Sequence, residues 1–219
     1  MKTIVAVYTG QGLDLIIRPL FQEIMPEHRL INIIDDGLIH QVMTAGAVTQ
    51  DIYQRLFHHY AAAELAGADV ILNTCSSVGR VADAALPFFA TPIVRIDRPM
   101  ARAAISSHHR IGVIATIRNT LEPTLELLQL EADNAAREII LTEGLAQGAY
   151  LELVAGNRER HDSLIREQAL ELSRSCDAII LAQGSMACMQ SDLESLLSIP
   201  VYSSPKLALQ HILNYFVNN

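Results

Sequence analysis

The two halves of the chain resemble each other, and this internal duplication constrains the fold more than any other feature of the sequence. Three pairs of segments align in the same order: 4–10 (IVAVYTG) with 111–117 (IGVIATI), 68–77 (ADVILNTCSS) with 176–185 (CDAIILAQGS), and 91–94 (TPIV) with 199–202 (IPVY). In the second pair Asp69 aligns with Asp177, but Cys75 aligns with Gln183. We therefore expect two copies of one structural unit that differ at the position of this thiol.

Length and composition are compatible with two such units. The 219 residues divide into halves of about 100 residues, a common size for a small domain. Half of the residues are hydrophobic, which is enough for a core in each half. The net charge of −8 and the pI near 5.4 argue against nucleic acid or an anionic membrane as a partner. A small acidic ligand is not excluded, because backbone amides and a few Arg side chains act locally.

The N-terminus and the cysteines predict a cellular location. The segment MKTIVAVYTG turns polar too early for a secretory signal peptide, and no run approaches the roughly 18–20 apolar residues of a membrane span. Three cysteines without CxxC spacing argue against a disulfide framework and against a zinc site. These features predict a cytoplasmic protein without a metal.

Short β-branched runs alternate with longer helical patterns along the chain. The predicted strands are 3–8, 29–34, 69–73, 92–96, 110–115, 138–142, 177–182 and 200–203. The predicted helices are 48–66, 79–86, 99–107, 120–131, 145–154, 159–174, 187–197 and 206–217, with Gly144 marking the start of one of them. Because the strands are continuous hydrophobic runs, we expect them to be buried on both faces of parallel sheets in an α/β fold.

The boundary between the two units is predicted near Pro99, which ends a strand pattern and opens a helix. Residues 1–98 are expected to form the N-terminal unit, and residues 99–205 the C-terminal unit. The last helix, 206–219, has no counterpart in the second copy. It is therefore expected to complete the N-terminal unit.

Polar clusters follow four of the predicted strands, where open α/β sheets bind their ligands. They are 8–11 (YTGQ), 73–77 (NTCSS), 115–116 (AT) with Thr120, and 182–185 (AQGS). Each cluster precedes a helix, whose unpaired N–H groups and positive dipole end attract an anion. In two pseudo-symmetric units, these clusters are expected to face one another across a cleft that binds a carboxylate.

Cys75 is the candidate reactive group of this site. A thiol at a helix N-terminus, beside hydroxyls and free amides, is stabilised as the thiolate. A thiolate so placed can remove a proton from carbon or attack an electrophilic carbon. The alternative is a buried and inert cysteine, which is a common role for this residue. The polar neighbours of Cys75, AsnThr before it and SerSer after it, favour the reactive interpretation.

Three motifs carry a resemblance to a known family. NTCSSVG after one strand, Ala115-Thr116 with Thr120 at the opening of the second half, and LAQGSM after the corresponding strand are similar to the aspartate/glutamate/hydantoin racemase superfamily. The resemblance covers essentially the whole chain. It implies two pseudo-symmetric Rossmann-like lobes with the active-site cleft between them, and chemistry beside a carboxylate or carbonyl without a cofactor. Typical members are racemases, and the superfamily also includes decarboxylases and a cis–trans isomerase.

In racemases of this superfamily, one cysteine thiolate removes the α-proton and a second thiol returns a proton on the opposite face. Cys75 matches the first position, whereas Gln183 stands at the second, and a carboxamide has no acid or base function near neutral pH. The remaining positions are expected to bind the substrate and to stabilise its developing charge. They are Tyr8, Thr9, Gly10, Asn73, Thr74, Ser76, Ser77, Thr116, Thr120, Gly184 and Ser185.

Several other residues are candidates with two interpretations each. Cys188 is either a second acid or a core residue, and Cys176 is expected to be structural. Arg95 either binds a second substrate carboxylate or pairs with Asp97. The loop after the second strand supplies candidates for a substrate-facing segment: Asp36, Gly37 and His40.

The predicted function is a cofactor-independent racemase or epimerase that acts next to the carboxylate of a small amino or hydroxy acid. Cys75 is its thiol acid/base, and Gln183 holds or polarises the substrate. A one-cysteine decarboxylase or another one-thiol isomerase is the alternative, because protonation from one side needs a single acid. A carboxylate-binding protein without catalysis is a third hypothesis. Neither nucleic acid nor a membrane is expected as a partner, and a homodimer or higher homo-oligomer is predicted.

Overall fold

Parallel strand pairing organises both sheets of the computed structural model, which describes residues 1–218. The strands are β1 (Thr3–Tyr8), β2 (Arg29–Ile34), β3 (Val70–Asn73), β4 (Ile93–Arg95), β5 (Arg110–Ala115), β6 (Ile140–Leu145), β7 (Ala178–Leu181) and β8 (Val201–Ser203). The helices are α1 (Leu13–Ile24), α2 (Gly37–Ala45), α3 (Gln50–Leu65), α4 (Gly79–Ala85), α5 (Arg98–Ser107), α6 (Arg118–Asn134), α7 (Ala149–Val154), α8 (Arg158–Leu172), α9 (Gln190–Leu197) and α10 (Ser204–Asn218). Short 3₁₀ turns cover Ser76–Val78, Leu86–Phe88 and Gly184–Met189.

The two sheets repeat one topology. The first has the strand order β2-β1-β3-β4, and the second has the order β6-β5-β7-β8. In each sheet the first strand of the repeat pairs in parallel with the two strands that follow it in sequence, so that β1 lies between β2 and β3, and β5 between β6 and β7. The prediction of two α/β units with parallel sheets is confirmed, and the duplication in the sequence is a duplication of structure.

The chain separates into two compact units. The N-terminal unit comprises Met1–Pro99 together with the segment that begins at Pro205, and the C-terminal unit comprises Met100–Ser204. In the N-terminal unit, alternate residues of β1 face opposite sides of the sheet, because side chains alternate along a strand. Val5 and Val7 pack against α3 and α4, whereas Ile4 and Ala6 pack against α1 and α10. Both faces of β1 are therefore buried, whereas the residues of the edge strand β2 are partly or fully exposed.

The strand predicted at 138–142 and the helix predicted at 145–154 are displaced in the structure. β6 extends to Leu145, and α7 begins only at Ala149. Gly144 lies inside β6, where a Cβ atom would come within 2.6 Å of Leu172 Cδ1 on α8. The glycine therefore permits close packing of a helix on a strand and does not begin a helix, so that this prediction was wrong.

Two helices of the N-terminal unit, α1 and α2, are absent from the predicted set. α1 contains Pro19 in its interior, a residue that usually ends a helical pattern. A usable signal was present in the apolar spacing of four residues, since Ile17 and Phe21 are buried on one face of α1. In α2 the same spacing joins the buried Leu38 and Val42.

An aspartate joins the first strand of each unit to its third strand at the amino ends. The Thr3 N–H donates to the Asp69 carboxylate at 2.7 Å, and the Asp69 N–H donates to the Thr3 carbonyl at 2.8 Å. Arg110 and Asp177 exchange the equivalent pair of bonds at 3.0 and 2.6 Å. Hydrogen bonds from the Arg110 side chain and main chain lower the pKa of Asp177 to about 2, and the Thr3 N–H lowers the pKa of Asp69.

The Asp177→Asn variant should lose a pH-dependent part of its stability. A carboxyl whose pKa falls on folding stabilises the folded state above its unfolded pKa of about 4, and this contribution disappears as the pH falls towards 2. The difference in unfolding free energy between wild type and Asp177→Asn should thus be largest near pH 7 and shrink between pH 4 and 2. Urea denaturation at these pH values measures it, and a difference that stays constant would contradict the assignment.

Candidate active site

The turns after β1 and β3 meet at the carboxyl edge of the N-terminal sheet. These strands are neighbours, with Val7 paired to Asn73, so the predicted clusters 8–11 and 73–77 lie side by side. Thr74 joins them, because its N–H and its hydroxyl both donate to the Val7 carbonyl, at 3.1 and 2.9 Å. The structure therefore brings together the candidate residues that the sequence assigns to this unit.

Cys75 is the partly exposed member of the segment 73–77, whose other four residues are buried. Its backbone is extended, with φ −121° and ψ 118°, and it immediately precedes the 3₁₀ turn Ser76–Val78, which leads into α4. Ser76 and Ser77 are buried directly behind it. The local fold thus presents a single thiol from a strand end whose neighbours are fixed in the protein.

The side chain of Asn73 is buried and is used within the protein. Its Oδ1 accepts a hydrogen bond from Tyr60 Oη at 3.0 Å, and its Nδ2 donates to the Cys75 carbonyl at 3.0 Å. Tyr60 is fully buried on α3. Burial, with a smaller contribution from the neighbouring Cys75, raises the pKa of Tyr60 well above its usual range. The Tyr60 hydroxyl is therefore a permanent donor.

Arg95 at the end of β4 is buried in a network of ion pairs. Its guanidinium donates to both carboxylate oxygens of Asp97, at 3.0 and 2.9 Å, and to Asp83 on α4 at 2.6 Å. Burial opposes the charge, but Asp97 and Asp83 outweigh it and raise the pKa of Arg95 above its usual range. Of the two interpretations of Arg95, the structure shows the pair with Asp97.

Gly79 at the start of α4 lies directly against this guanidinium. A Cβ atom on Gly79 would overlap Arg95, although the φ of −57° is open to any residue. The glycine is therefore required by space and not by backbone conformation. It allows the Arg95 network to hold α4 four residues after Cys75.

The turn after β2 packs on the turn after β1. The N–H groups of Asp35 and Ile39 donate to the carbonyls of Tyr8 and Thr9, both at 3.0 Å. Asp35 is fixed by α3: burial raises its pKa, but hydrogen bonds from His59 and Arg55 outweigh burial and lower it. The lid candidates of the sequence lie here, with Gly37 opening α2, His40 exposed on it, and Asp36 accepting a hydrogen bond from Gln11.

Tyr8, Thr9 and Gly10 differ in what they offer to a ligand. Tyr8 is a core residue whose hydroxyl donates to Asn32 at 3.3 Å, and burial, with a smaller effect of Asp14, raises its pKa. Thr9 is buried, whereas Gly10 is partly exposed and faces Ile39 of α2. Of these three residues, Gly10 is therefore the one that is accessible to a ligand from solvent.

The carboxyl edge of the C-terminal sheet carries the second set of candidates. β5 and β7 are neighbours, so Thr116 lies beside Gln183. Thr116 and Thr120 are buried, Gly184 is buried, and Gln183 and Ser185 are partly exposed. The structure therefore groups the candidate residues of this unit at one edge as well.

The amide of Gln183 has a fixed orientation. Its Oε1 accepts hydrogen bonds from the Thr116 N–H at 2.6 Å and from the Thr116 hydroxyl at 2.9 Å. A main-chain N–H must face an acceptor, so the oxygen and not the nitrogen occupies this position. Within residues 1–218 no hydrogen bond of Gln183 Nε2 is found, so that this group is available as a donor.

The other two cysteines lie in different environments. Cys176 is buried in the apolar cluster of the C-terminal unit, in agreement with a structural role. Cys188 is exposed at the end of the Gly184–Met189 turn, where Arg158 Nη2 lies 2.8 Å from its sulfur. Residues 1–218 contain no group of three or more His, Cys, Asp or Glu side chains arranged to hold a metal ion. No helix in this range is long and apolar enough to cross a membrane.

Tyr60 and Gly79 are site-forming residues that the sequence did not single out. Tyr60 belongs to the apolar stripe Ile52–Leu56–Tyr60–Ala63 of α3, which indicates a core residue and says nothing about its hydroxyl. Gly79 was visible only as the last residue of NTCSSVG. The contacts that give both residues their roles come from segments distant in sequence.

Comparison with known proteins identifies the family. The sequence matches the family model described as Asp/Glu/Hydantoin racemase over residues 16–212, and no curated protein matches it. Solved structures of the same fold include the glutamate racemase isoform RacE1 from Bacillus anthracis (17% identity, TM-score 0.76, covering 99% of this chain and 82% of that one), the Picrophilus torridus aspartate racemase (14%, 0.74, 98% and 94%) and the allantoin racemase from Klebsiella pneumoniae (15%, 0.73, 99% and 88%). Because these structures are only 14–17% identical to the chain, they establish its fold alone. Membership of the family is established by the family model, which matches most of the chain. The resemblance carried by the NTCSSVG and LAQGSM motifs is confirmed, and the chain belongs to the Asp/Glu/Hydantoin racemase family.

Proposed function

We propose that this protein is a cofactor-independent racemase or epimerase that acts next to the carboxylate of a small amino or hydroxy acid. Membership of the family supports an isomerase, and the solved structures of the same fold include racemases of glutamate, aspartate and allantoin. One observation carries the choice of the reacting group. Cys75 is the partly exposed residue in a segment that is otherwise buried and hydrogen-bonded.

The proposed reaction begins at the Cys75 sulfur. The thiolate removes the proton from the α-carbon, and the electron pair of that C–H bond moves into the carboxylate to form an enediolate. Hydroxyl and amide donors in the neighbouring turns after β1 and β3, at Thr9, Ser76 and Ser77, stabilise this charge. A proton delivered to the opposite face of the α-carbon completes the inversion.

Gln183 acts in this proposal as a binding and polarising group. Its Oε1 is bound to Thr116, so its Nε2 directs N–H donors towards a carboxylate or enediolate oxygen. A carboxamide cannot return the proton. The acid that protonates the opposite face is therefore another side chain or a water molecule.

The same fixed amide favours a second candidate function, a one-thiol decarboxylation. In that reaction a malonate-type substrate loses one carboxylate as CO₂, and the electron pair of the broken C–C bond moves into the remaining carboxylate to form an enediolate. The Cys75 thiol then protonates the α-carbon. The resulting thiolate regains its proton from water. This route needs one acid only, which Cys75 supplies, and Gln183 again binds an oxygen of the intermediate.

Proton NMR in D₂O separates these reactions. The test acids are both enantiomers of aspartate and glutamate, small hydroxy acids and a malonate derivative, and allantoin is included as a substrate without a carboxylate. For the racemase, we expect deuterium to enter at the α-carbon while the optical rotation, followed by polarimetry on the same sample, is lost. For the lyase, we expect loss of CO₂ and a product that carries one deuterium at the α-carbon. If no acid exchanges and none slows the alkylation of Cys75 at pH 7, both reactions are excluded.

Substitution of Gln183 should weaken substrate binding and should not abolish turnover. Gln183→Ala removes one donor to a charged oxygen, which corresponds to about a tenfold loss in kcat/KM. Gln183→Glu keeps the acceptor for Thr116 but replaces the N–H donors by a carboxylate that repels the substrate, so its loss should be larger. Steady-state kinetics on the acid identified by NMR measure both variants. A Gln183→Glu enzyme with wild-type kcat/KM would remove Gln183 from the site.

The cytoplasmic location and the homodimer stay predictions. Light scattering coupled to size-exclusion chromatography gives the mass in solution, to be compared with the 24.1 kDa of one chain. A mass of two chains is the expected result.

A further inference from the structure

A hydrogen-bond relay that starts on α3 ends at the backbone of Cys75. Tyr60 Oη donates to Asn73 Oδ1 at 3.0 Å, and Asn73 Nδ2 donates to the Cys75 carbonyl at 3.0 Å. We propose that Tyr60 and Asn73 are positioning residues, which set the direction of the Cys75 side chain by fixing the carbonyl of the same residue. This inference rests on the proposed function of Cys75. It assigns Asn73 a role in holding Cys75 and not in binding the substrate.

The direction of every bond in the relay is determined by chemistry. The Cys75 carbonyl can only accept, so Asn73 must turn its NH₂ group towards it. Asn73 Oδ1 then faces away and requires a donor, which the Tyr60 hydroxyl supplies. Because burial raises the pKa of Tyr60 well above its usual range, its hydroxyl keeps its proton and remains a donor to Asn73.

Fixing the carbonyl restricts the thiol. The Cys75 carbonyl accepts from Asn73 Nδ2 and also from the Val78 N–H at 3.4 Å, which determines the rotation about its Cα–C bond. On the other side of Cys75, the N–H and hydroxyl of Thr74 are bound to the Val7 carbonyl. With the Cys75 carbonyl held on one side and Thr74 tied to β1 on the other, the thiol is reoriented mainly by rotation about its own Cα–Cβ bond.

Packing and hydrogen bonding of Tyr60 can be separated experimentally. The ring packs edge-on against Phe89, with centroids 5.8 Å apart, and lies 6.5 Å from the ring of Phe57. Phenylalanine at this position retains these ring contacts and removes only the hydroxyl. Tyr60→Phe therefore tests the relay, with the core of the unit left in place.

A matched control exists in the other unit. Tyr202 is partly buried, and its hydroxyl bonds to His108 Nε2 at 2.9 Å, with the two rings 5.7 Å apart. Tyr202→Phe removes a tyrosine hydroxyl bond within the C-terminal unit, which does not contain Cys75. A change in kcat, KM or Tm that appears in both variants is therefore attributed to the loss of a tyrosine hydrogen bond and not to the relay.

The experiment measures kcat, KM and Tm for Tyr60→Phe, Tyr202→Phe and wild type on the acid identified by NMR. Misplacement of a reacting group by a fraction of an ångström should lower kcat of Tyr60→Phe about tenfold, with KM within about twofold. Tyr202→Phe should keep both constants. A kcat of Tyr60→Phe within twofold of wild type, or an equal fall in Tyr202→Phe, would overturn the proposal.

Two further outcomes are distinguished by design. If Tyr60→Phe does not fold, Asn73→Ala must show the same split between kcat and KM, and failure of both variants to fold would assign the relay to folding alone and overturn the proposal. If Cys75→Ala keeps its activity, the proposed function of Cys75 is wrong, and the positioning role that rests on it is overturned as well. If Cys75→Ala is inactive while Tyr60→Phe is fully active, only the positioning role is lost.

Discussion

Cys75→Ala should be folded and almost inactive, with kcat reduced about 10³-fold. Proton transfer by a positioned side chain contributes about 10² to 10⁴ in rate, and no other thiol of the N-terminal unit can replace it. The side chain is partly exposed and alanine fits in its place, so the Tm should change little. Steady-state kinetics and circular dichroism on the same preparation measure both quantities.

Cys176→Ala is the matched control for this substitution. It also exchanges a cysteine for alanine, but in the buried cluster of the C-terminal unit, where a small cavity should cost about 1 kcal/mol. This variant should lose stability and keep kcat, which is the reverse of the result for Cys75.

Cys188→Ser decides whether the exposed thiol beside Arg158 takes part as a second acid. Full activity in Cys75→Ala would remove both mechanisms.

Gly79→Ala should destabilise the folded protein by about 3 kcal/mol and reduce activity strongly. The new methyl group overlaps the buried guanidinium of Arg95, so either α4 moves or the pairs with Asp97 and Asp83 are broken. Both responses displace the helix that begins four residues after Cys75. Urea denaturation measures the free energy of unfolding, and kcat is measured under conditions where the variant is folded.

A double-mutant cycle tests the cause of this loss. Arg95→Ala alone should be destabilising, because Asp97 is left buried without its cation. In the Arg95→Ala background, however, Gly79→Ala should be neutral or stabilising by up to about 1 kcal/mol, since the backbone of Gly79 is helical and alanine favours helix. An equal cost of Gly79→Ala in both backgrounds would show that Arg95 is not responsible.

The sheets were predictable because their signal is local. β1, β2 and β5 match the predicted bounds, since runs such as TIVAVY are apolar and β-branched from end to end. β6 was misplaced because Gly144 looks the same in a strand and at a helix start when Leu172 is not in view. The role of Gly144 depends on its contact with Leu172, which lies 28 positions further along the chain and cannot be inferred from the local sequence.

Residue types at the site were predictable, whereas their partners were not. The sequence places Cys75 after a strand and Gln183 at the equivalent position, and the structure adds the hydrogen bonds that hold the Cys75 carbonyl and the Gln183 amide. The Thr116 N–H orients the Gln183 amide from 67 positions away, and Tyr60 reaches Asn73 across 13. Such bonds depend on which elements become neighbours, and no periodicity in the sequence encodes them.

The paired aspartates at the amino ends of the two sheets have a consequence for how this protein can change. Asp69, just before β3, and Asp177, just before β7, make the same reciprocal bonds with the first strand of their unit. Beyond the opposite ends of β3 and β7, the first copy carries the Cys75 thiol and the second carries the Gln183 amide. The two copies are therefore alike at the end that ties the strands together, and they differ at the end where we propose that substrate binds. New chemistry in this scaffold can therefore arise by exchange of a few residues at one end, while the ties at the other end keep the chain folded.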